Sequence, residues 1–408
     1  MTKIIENDNL PNTGGFGAVS LGTAQEKIAE RCPYCQSKDF VKRGLRKKKL
    51  ESVQLYLCRN PECGRTFTAQ FIKGRHYPIK LIIEGLNYYN LGWGLEQTCR
   101  LLYQKFGANP GASTLAGWVA QYAGLCRYCR LRPYALKICK PQDTVEVVNM
   151  AHRQIYRFLY HRPKLRLAIE EHFKHRHLEP LKDYLDGVAA ETPHQYFQEG
   201  LRISEVKTKF STAQMIIRKK HNYANELANF VLQAVKENKQ RHSELQRFFI
   251  ANDSVTVAAE VPVYIRKEDI EHMENQLGFE IPEYLETKRS RPNADIVEKK
   301  ISGIPRLLTG HIDLVQVRNG QIHLLDYKPN AAKEKPLEQL TWYALALSRL
   351  TGLRLYEFKC AWFDEKDYFE FFPLHVVKKI ANRKKKRVYL KSHGTSVEVP
   401  EEDKIKVV

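Results

Sequence analysis

The sequence predicts an α/β protein. A cysteine-bearing basic segment and a group of helices come first, and a larger region of helices followed by apolar strands comes after. Three observations point there. Eight of the nine cysteines precede residue 140. Apolar residues recur at helical spacing through residues 78–125. Far downstream, "HIDLVQV" and "QIHLLDYK" read as two apolar strands joined across Asn319-Gly320, a dipeptide that favours a tight hairpin turn. At 408 residues the chain is long enough for two or three domains with cores of their own.

Composition narrows the partners. Apolar content is that of a folded protein. No run of eighteen apolar residues exists, so no membrane span is expected. Residues 1–25 are polar and Gly-bearing, carry early acids and lack a signal-type apolar core, so a cytoplasmic, nucleoid-associated protein is expected. The formal net charge of +20 favours a polyanion, and nucleic acid is the commonest one.

Cys32 and Cys35 ("CPYC") are followed by Cys58 and Cys63 ("CRNPEC"). Two short cysteine pairs at this separation suit a tetrahedral four-cysteine zinc site. Four thiolates would close the coordination sphere, so the ion would be structural and would staple a short, core-poor segment. Between the pairs runs "VKRGLRKKKLESVQLYLC", where Lys42, Arg43, Arg46 and Lys47 can follow a phosphate backbone. With its "KRG" turn, an aromatic before the third cysteine and a following "CGRTF", the segment resembles the zinc ribbons that open insertion-sequence transposases. A second metal site on Cys99, Cys126, Cys129 and Cys139 is less favoured, because cysteines three apart on a helix are mostly packing residues.

The next stretch reads as helices broken at Gly92/Gly94 and at "GANPGAS", the last of them starting with Ser113 or Thr114 as N-cap. This is a helix-turn-helix pattern in which Ser113, Thr114 and Trp118 are candidate DNA contacts. A ribbon and a helix-turn-helix in this order again resemble the transposase family. The bland reading is a three-helix bundle packed on the downstream region. The resemblance stops near residue 140, since no spaced Asp-Asp-Glu set comes after it, and strand-transfer chemistry does not carry over. "HRQIYRFLYHRPKLRLAIEEHFKHRHLEPL" is read as helical from its Leu and Phe spacing. A connecting layer is preferred for it over a DNA wrap or a dimer surface.

The chemistry is expected near "LLDYKP". Strand residues two apart share a face, so Asp326 and Lys328 project together, and the Asn319-Gly320 hairpin brings Asp313 near them. Two carboxylates and an ammonium at one spot suit phosphodiester hydrolysis on Mg²⁺ or Mn²⁺. Upstream, "SVTVAAEVPVYI" is a strand with Glu260 among apolar residues, and a helix begins near His221. Downstream, Gln339 and Tyr343 lie one turn apart on a helix.

The order His, Glu-bearing strand, "GHID", "LLDYKP", "QLTWYALAL" resembles the PD-(D/E)xK nuclease superfamily, closest to its RecB-type branch, over about residues 215–375. The resemblance implies a restriction-endonuclease-like mixed sheet flanked by helices. It implies strands near 254–263, 310–317, 321–328 and 354–362, and helices near 220–239 and 336–351. It makes Asp313 and Asp326 metal ligands and Lys328 the catalytic lysine. Glu260 becomes a further acidic ligand or holds a ligand through water, His221 the additional metal-binding histidine, and Gln339 and Tyr343 brace the site or touch the DNA backbone. No Fe–S cluster is expected, because Cys360 alone lies in this part. Lys288, Arg289, Arg291 and the run 383–387 are candidate phosphate contacts.

The expected organisation is a lead at 1–25, zinc ribbon at 26–72, helix-turn-helix at 73–140, connecting helices at 141–215, nuclease domain at 216–380 and basic extension at 381–408. The expected function is a Mg²⁺- or Mn²⁺-dependent DNA nuclease of a prokaryotic mobile-element or defence system, alone, as a homodimer or beside a partner recombinase or defence subunit. The rival is a non-catalytic DNA-binding regulator or transposase-associated targeting subunit. The residues alone leave open endo- versus exonucleolytic cutting and DNA versus RNA.

Overall fold

The computed structural model describes residues 29, 31–47, 52–68, 77–171, 175–208, 210–211, 215–235, 237–282, 284–287, 298–299, 305–378, 389–392 and 395–398. Lys288, Arg289, Arg291 and the run 383–387 lie outside the described residues.

The first unit is a three-stranded antiparallel sheet of β1 (Phe40–Lys47), β2 (Ser52–Cys58) and β3 (Thr66–Thr68). Its small core is Phe40, Tyr56 and Phe67 in mutual ring contact beside the cysteines. That is little apolar area for an independent fold, which is the situation a metal staple resolves.

Three helices follow: α1 (Ile79–Asn90), α2 (Leu95–Phe106) and α3 (Ala112–Gln121). Gly107 closes α2 in the left-handed conformation at φ 64°, which only glycine adopts without strain. The N-cap of α3 is Gly111, without a side-chain cap; Ser113 and Thr114 lie inside the first turn, contrary to the capping expected of them.

The rest is organised on one nine-stranded mixed sheet. Its strands are β4 (Val145–His152), β5 (Gln154–His161), β6 (Leu201–Arg202), β7 (Arg218–Lys220), β8 (Thr256–Arg266), β9 (Leu307–Arg318), β10 (Gln321–Tyr327), β11 (Phe358–Phe363) and β12 (Tyr368–Phe371). The order is β4-β5-β8-β9-β10-β11-β12-β7, with β6 pairing in parallel on β9. The β9–β10 hairpin turns at Asn319-Gly320, both with positive φ, as that dipeptide predicts.

Residues 145–161 are the main departure from the sequence reading. They form an antiparallel hairpin that extends the sheet next to β8, not a helical connection. Near its base, Phe158 to His161 are buried on both faces, so the alternation that marks a half-exposed strand is missing.

Helices cover both faces. On one, α4 (Glu179–Glu191) and α8 (Leu337–Thr351) pack with Ile312, Leu324 and Trp342 into a single core. Between α4 and β6 lies the short α5 (His194–Glu199). On the other face, α6 (Tyr223–Leu232) and α7 (Arg241–Asn252) share a core with α1, α2 and α3, in which Leu86, Leu102 and Leu115 join Leu227, Phe248 and Leu325.

A polar seam runs through that contact. Glu84 of α1, buried, is ion-paired with both Lys105 and Arg247, and the two cations hold its carboxyl down at about 2 against the opposing effect of burial. Asn252 of α7 accepts from Asn90 and donates to Asn87, each at 2.6 Å. Glu84, Asn87 and Asn90 recur every three residues, so one stripe of α1 makes the whole seam. Breaking one partner of such a buried set costs about 3–5 kcal/mol. Helices 79–121 are therefore locked to the sheet.

Candidate active site

Three carboxylates project from adjacent strands where β8, β9 and β10 part, without closing into a set of three ligand atoms within 4.8 Å of one another. The β9–β10 ladder runs from the turn back to Leu314↔Leu325 and stops, leaving Asp313 opposite Asp326 as the next, unpaired position. The β8–β9 register likewise pairs Ile312 with Val261 and Leu314 with Ala259, skipping Asp313 and Glu260. At this skipped pair the register itself does not shift, and Glu260 has φ 50°, a strained conformation for a residue with a long side chain, of the kind that concentrates at functional sites.

The Asp313 and Asp326 carboxyls are within hydrogen-bonding reach of each other. Asp313 Oδ2 also accepts from the Tyr327 N–H at 3.2 Å, and Lys328 Nζ lies 2.9 Å from Asp326 Oδ2. Burial first, then repulsion between neighbouring acids, pushes both aspartates up. Burial lifts Glu260 to about 7, although Gln246 Nε2 donates to its Oε1 at 2.7 Å. Burial works against the Lys328 ammonium, but Asp326 outweighs it and the pKa moves up, so the lysine stays charged.

Helix α7 supplies the flank. His242 Nε2 is 3.0 Å from the Tyr327 carbonyl and 3.6 Å from Asp313 Oδ2. A carbonyl only accepts, so Nε2 carries the proton. Helix α8 supplies Gln339, whose Nε2 donates to the Tyr343 hydroxyl at 2.9 Å. A Cβ on Gly310 would sit 2.5 Å from Tyr343 Cε1, which explains the glycine of "GHID" by packing.

Glu260, Asp313, His242, Gln339 and Tyr343 line a cleft of about 310 Å³. More of its lining comes from the β4–β5 hairpin, α5 and the segment after it: His152, Gln154, Tyr156, Phe197, Arg202 and Ser204. His152 bridges β9 and α5, with Nδ1 2.8 Å from His311 Nε2 and Nε2 2.8 Å from His194 Nδ1. Tyr156 stacks on His311 with ring centroids 3.5 Å apart, and Phe197 on His152 at 4.0 Å. Burial pushes His152 down to about 4 and His311 to about 2, so both rings are neutral.

Asp313, Asp326, Lys328, Glu260, Gln339 and Tyr343 are thus brought to one place. His221 is not. It follows edge strand β7, three strands from β10, and its Nε2 faces Glu226 at 3.7 Å. The histidine beside Asp313 is His242. Two helices, not one, occupy 223–252, and the second carries the site-facing histidine; "HSELQ", with Gln246 four residues after His242, was the available signal. The hairpin residues were missed with the hairpin itself, and Arg202 had no motif to mark it.

Among the DNA-contact candidates, Lys42, Arg43, Arg46 and Lys47 are exposed along edge strand β1. Ser113 is exposed. Trp118 is buried, in edge-to-face contact with Tyr77 and below Gly85, and so is a packing residue, not a surface for DNA.

The Cys32, Cys35, Cys58 and Cys63 sulfurs lie within 4.8 Å of one another, with Cys32–Cys63 at 3.7 Å and Cys35–Cys58 at 3.5 Å. Four thiolates ~2.3 Å from one tetrahedral ion would lie ~3.8 Å apart, so the cluster fits zinc. Among the described residues no other such cluster of three or more ligand atoms occurs. Cys129 instead approaches the Ala123 carbonyl at 3.9 Å, and Cys360 donates to the Leu340 carbonyl at 3.4 Å. No described helix is long and apolar enough to cross a membrane.

No curated protein and no solved structure matches the chain. A family model does, over residues 194–387. The β4–β5 hairpin lies ahead of that match yet shares its sheet and its cleft. With the acids, the lysine and the mixed sheet in place, the chain carries a PD-(D/E)XK nuclease superfamily domain at residues 194–387, with a four-cysteine cluster near its N-terminus.

Proposed function

We propose that the protein is a divalent-metal-dependent DNA nuclease. The observation that carries this is Asp313 facing Asp326 at the point where the ladder opens, with Lys328 paired to Asp326. Three carboxyls there share one lysine, and burial first, then their mutual repulsion, raises each of them. The donor set is all oxygen, which suits Mg²⁺ or Mn²⁺ and not a thiophilic ion.

Asp313 and Asp326 would hold the ion and Glu260 would complete the set, positioned by Gln246. Bound there, the ion supplies Lewis acidity to the scissile phosphate and lowers the pKa of a water. Lys328, held as an ammonium, acts through its charge and steadies the negative charge that builds on the phosphoryl oxygens. His242 fixes Asp313 from α7. The walls exclude bulk water, which strengthens each of these interactions. The exposed basic face of β1 and the net charge of +20 favour DNA as the polyanion, with the ribbon delivering the domain to it.

The test is incubation of the purified protein with closed-circular and linear DNA, with and without Mg²⁺. Cutting is expected only with the ion. Asp326→Asn and Lys328→Ala should each lower kcat by at least ~10²-fold while DNA binding persists. Undiminished cutting by either variant would remove the assignment, and cut circles would establish endonucleolytic action.

A further inference from the structure

Besides the carboxylates, the cleft carries a cation that the reaction centre does not use. Arg202 lines the wall, and its one ion-pair partner among the described residues is Glu205, 4.0 Å away and itself 63% exposed. Such a pair is worth little and leaves the guanidinium available. The charge acts into the cleft: after burial, Arg202 is among the influences that disfavour a proton on His311 and favour ionisation of Tyr156.

The position of Arg202 is fixed by the fold. Leu201 and Arg202 pair in parallel with Leu308 and Thr309, on the same strand that carries Asp313. Gly200, just before them, has no room for a Cβ, which would sit 2.8 Å from both Thr309 Cγ2 and the Tyr196 carbonyl. From the hairpin tip, Arg153 donates to the Gln198 carbonyl at 3.0 Å and to the Gly200 carbonyl at 2.9 Å, and Gln198 returns a bond to the Ala151 carbonyl at 2.7 Å. The wall is therefore one hydrogen-bonded unit, and Ser204 adds a hydroxyl to it. Asp313 is four positions on from Thr309, ~13 Å along an extended strand. That offset places Arg202 away from the linkage between the carboxylates.

We propose that Arg202, with Ser204 beside it, binds a non-scissile phosphate of the DNA strand in the cleft, on the side away from Asp326 and Lys328. One part of the cleft then takes cations and another, offset along β9, takes an anion, which sets the direction in which a strand can lie. Arginine suits the role because its planar fork matches two phosphoryl oxygens. The inference rests on the nuclease reading.

Two measurements test it. In the first, Arg202→Ala is compared with the parent on oligodeoxynucleotides carrying one neutral methylphosphonate at successive positions from the cut bond. The parent should lose efficiency at one non-scissile position, through KM, by about tenfold, the size of one charge-assisted contact. Arg202→Ala should show the same loss on every substrate and no further loss at that position, and Arg202→Lys should recover part of it. In the second, a short fluorescein-labelled oligodeoxynucleotide is titrated into Asp326→Asn and Asp326→Asn/Arg202→Ala chains. The double variant should bind more weakly, with a salt slope lower by about one. Equal binding, or equal sensitivity of parent and Arg202→Ala at every position, overturns the proposal. Failure of the parent to cut any DNA would instead count against the nuclease reading, and the binding arm would still decide on Arg202.

Discussion

Gln246 donates its side-chain amide to Glu260 at 2.7 Å, and the next residue of the same helix, Arg247, is ion-paired to Glu84 of α1. One helix thus touches the reacting acids with one side chain and the N-terminal helices with its neighbour. Gln246→Ala should leave Glu260 without its orienting donor. Cleavage should fall about 10–100-fold, the range for partners of metal ligands, with the Mg²⁺ midpoint moving upward. An Mg²⁺ titration of initial rates reads both. An unchanged midpoint would remove Gln246 from the site.

The two histidines give opposite expectations. His242 stands 3.6 Å from Asp313 Oδ2, whereas His221 faces Glu226 on the surface. His242→Ala should weaken Mg²⁺ dependence about tenfold or more, and His221→Ala should leave rates within about twofold, as exposed substitutions usually do. The reverse pattern would restore the assignment made from sequence.

Stability should depend on pH in an unusual direction. A carboxyl in an unfolded chain titrates at about 4, whereas burial lifts Glu260 to about 7. Between those values the folded state binds more protons than the unfolded one, so stability falls as pH rises. Both aspartates shift the same way. Without added Mg²⁺, Tm should decline from pH 5 to pH 8 more steeply in the parent than in Glu260→Gln. Added Mg²⁺ should raise the parent's Tm most at the alkaline end, where the acids are ionised. Parallel Tm profiles for the two proteins would contradict the shift.

The cysteine cluster predicts one zinc per chain, measurable by metal analysis. Cys35→Ser should release it and abolish the salt-sensitive part of DNA binding contributed by β1, because the ribbon has only three core aromatics to hold it otherwise. Mg²⁺-dependent cutting of short oligonucleotides should persist, since α7, β9 and β10 are held by a different core. Retention of a full ribbon signature in the far-UV spectrum after zinc loss would argue against a structural ion.

How far the sequence could be read depended on what each residue type leaves in the chain. Asp313 and Asp326 were legible because a two-residue turn fixes the register, and register fixes which side chains meet. Glu260 was legible as a lone acid in an apolar strand, but its positive φ was not, since a local backbone twist leaves no composition mark. The hairpin at 145–161 was hidden because it enters a sheet covered on both faces, where aromatic and apolar residues run on without alternating. Trp118 was misread because a tryptophan in a short helix looks the same whether it faces a groove or a core. His242 was not considered at all, because it lies on a second helix, Arg241–Asn252, beyond the one expected near 220–239.

The seam between α1 and α7 limits how this protein can be re-engineered. A fragment cut to the 194–387 match would bare Leu227 and Phe248, strip Arg247 of its partner Glu84, and also lose the strand pair that walls the cleft. Grafting a foreign targeting head is therefore feasible only upstream of Tyr77, with everything from α1 onward travelling as a single inheritable block.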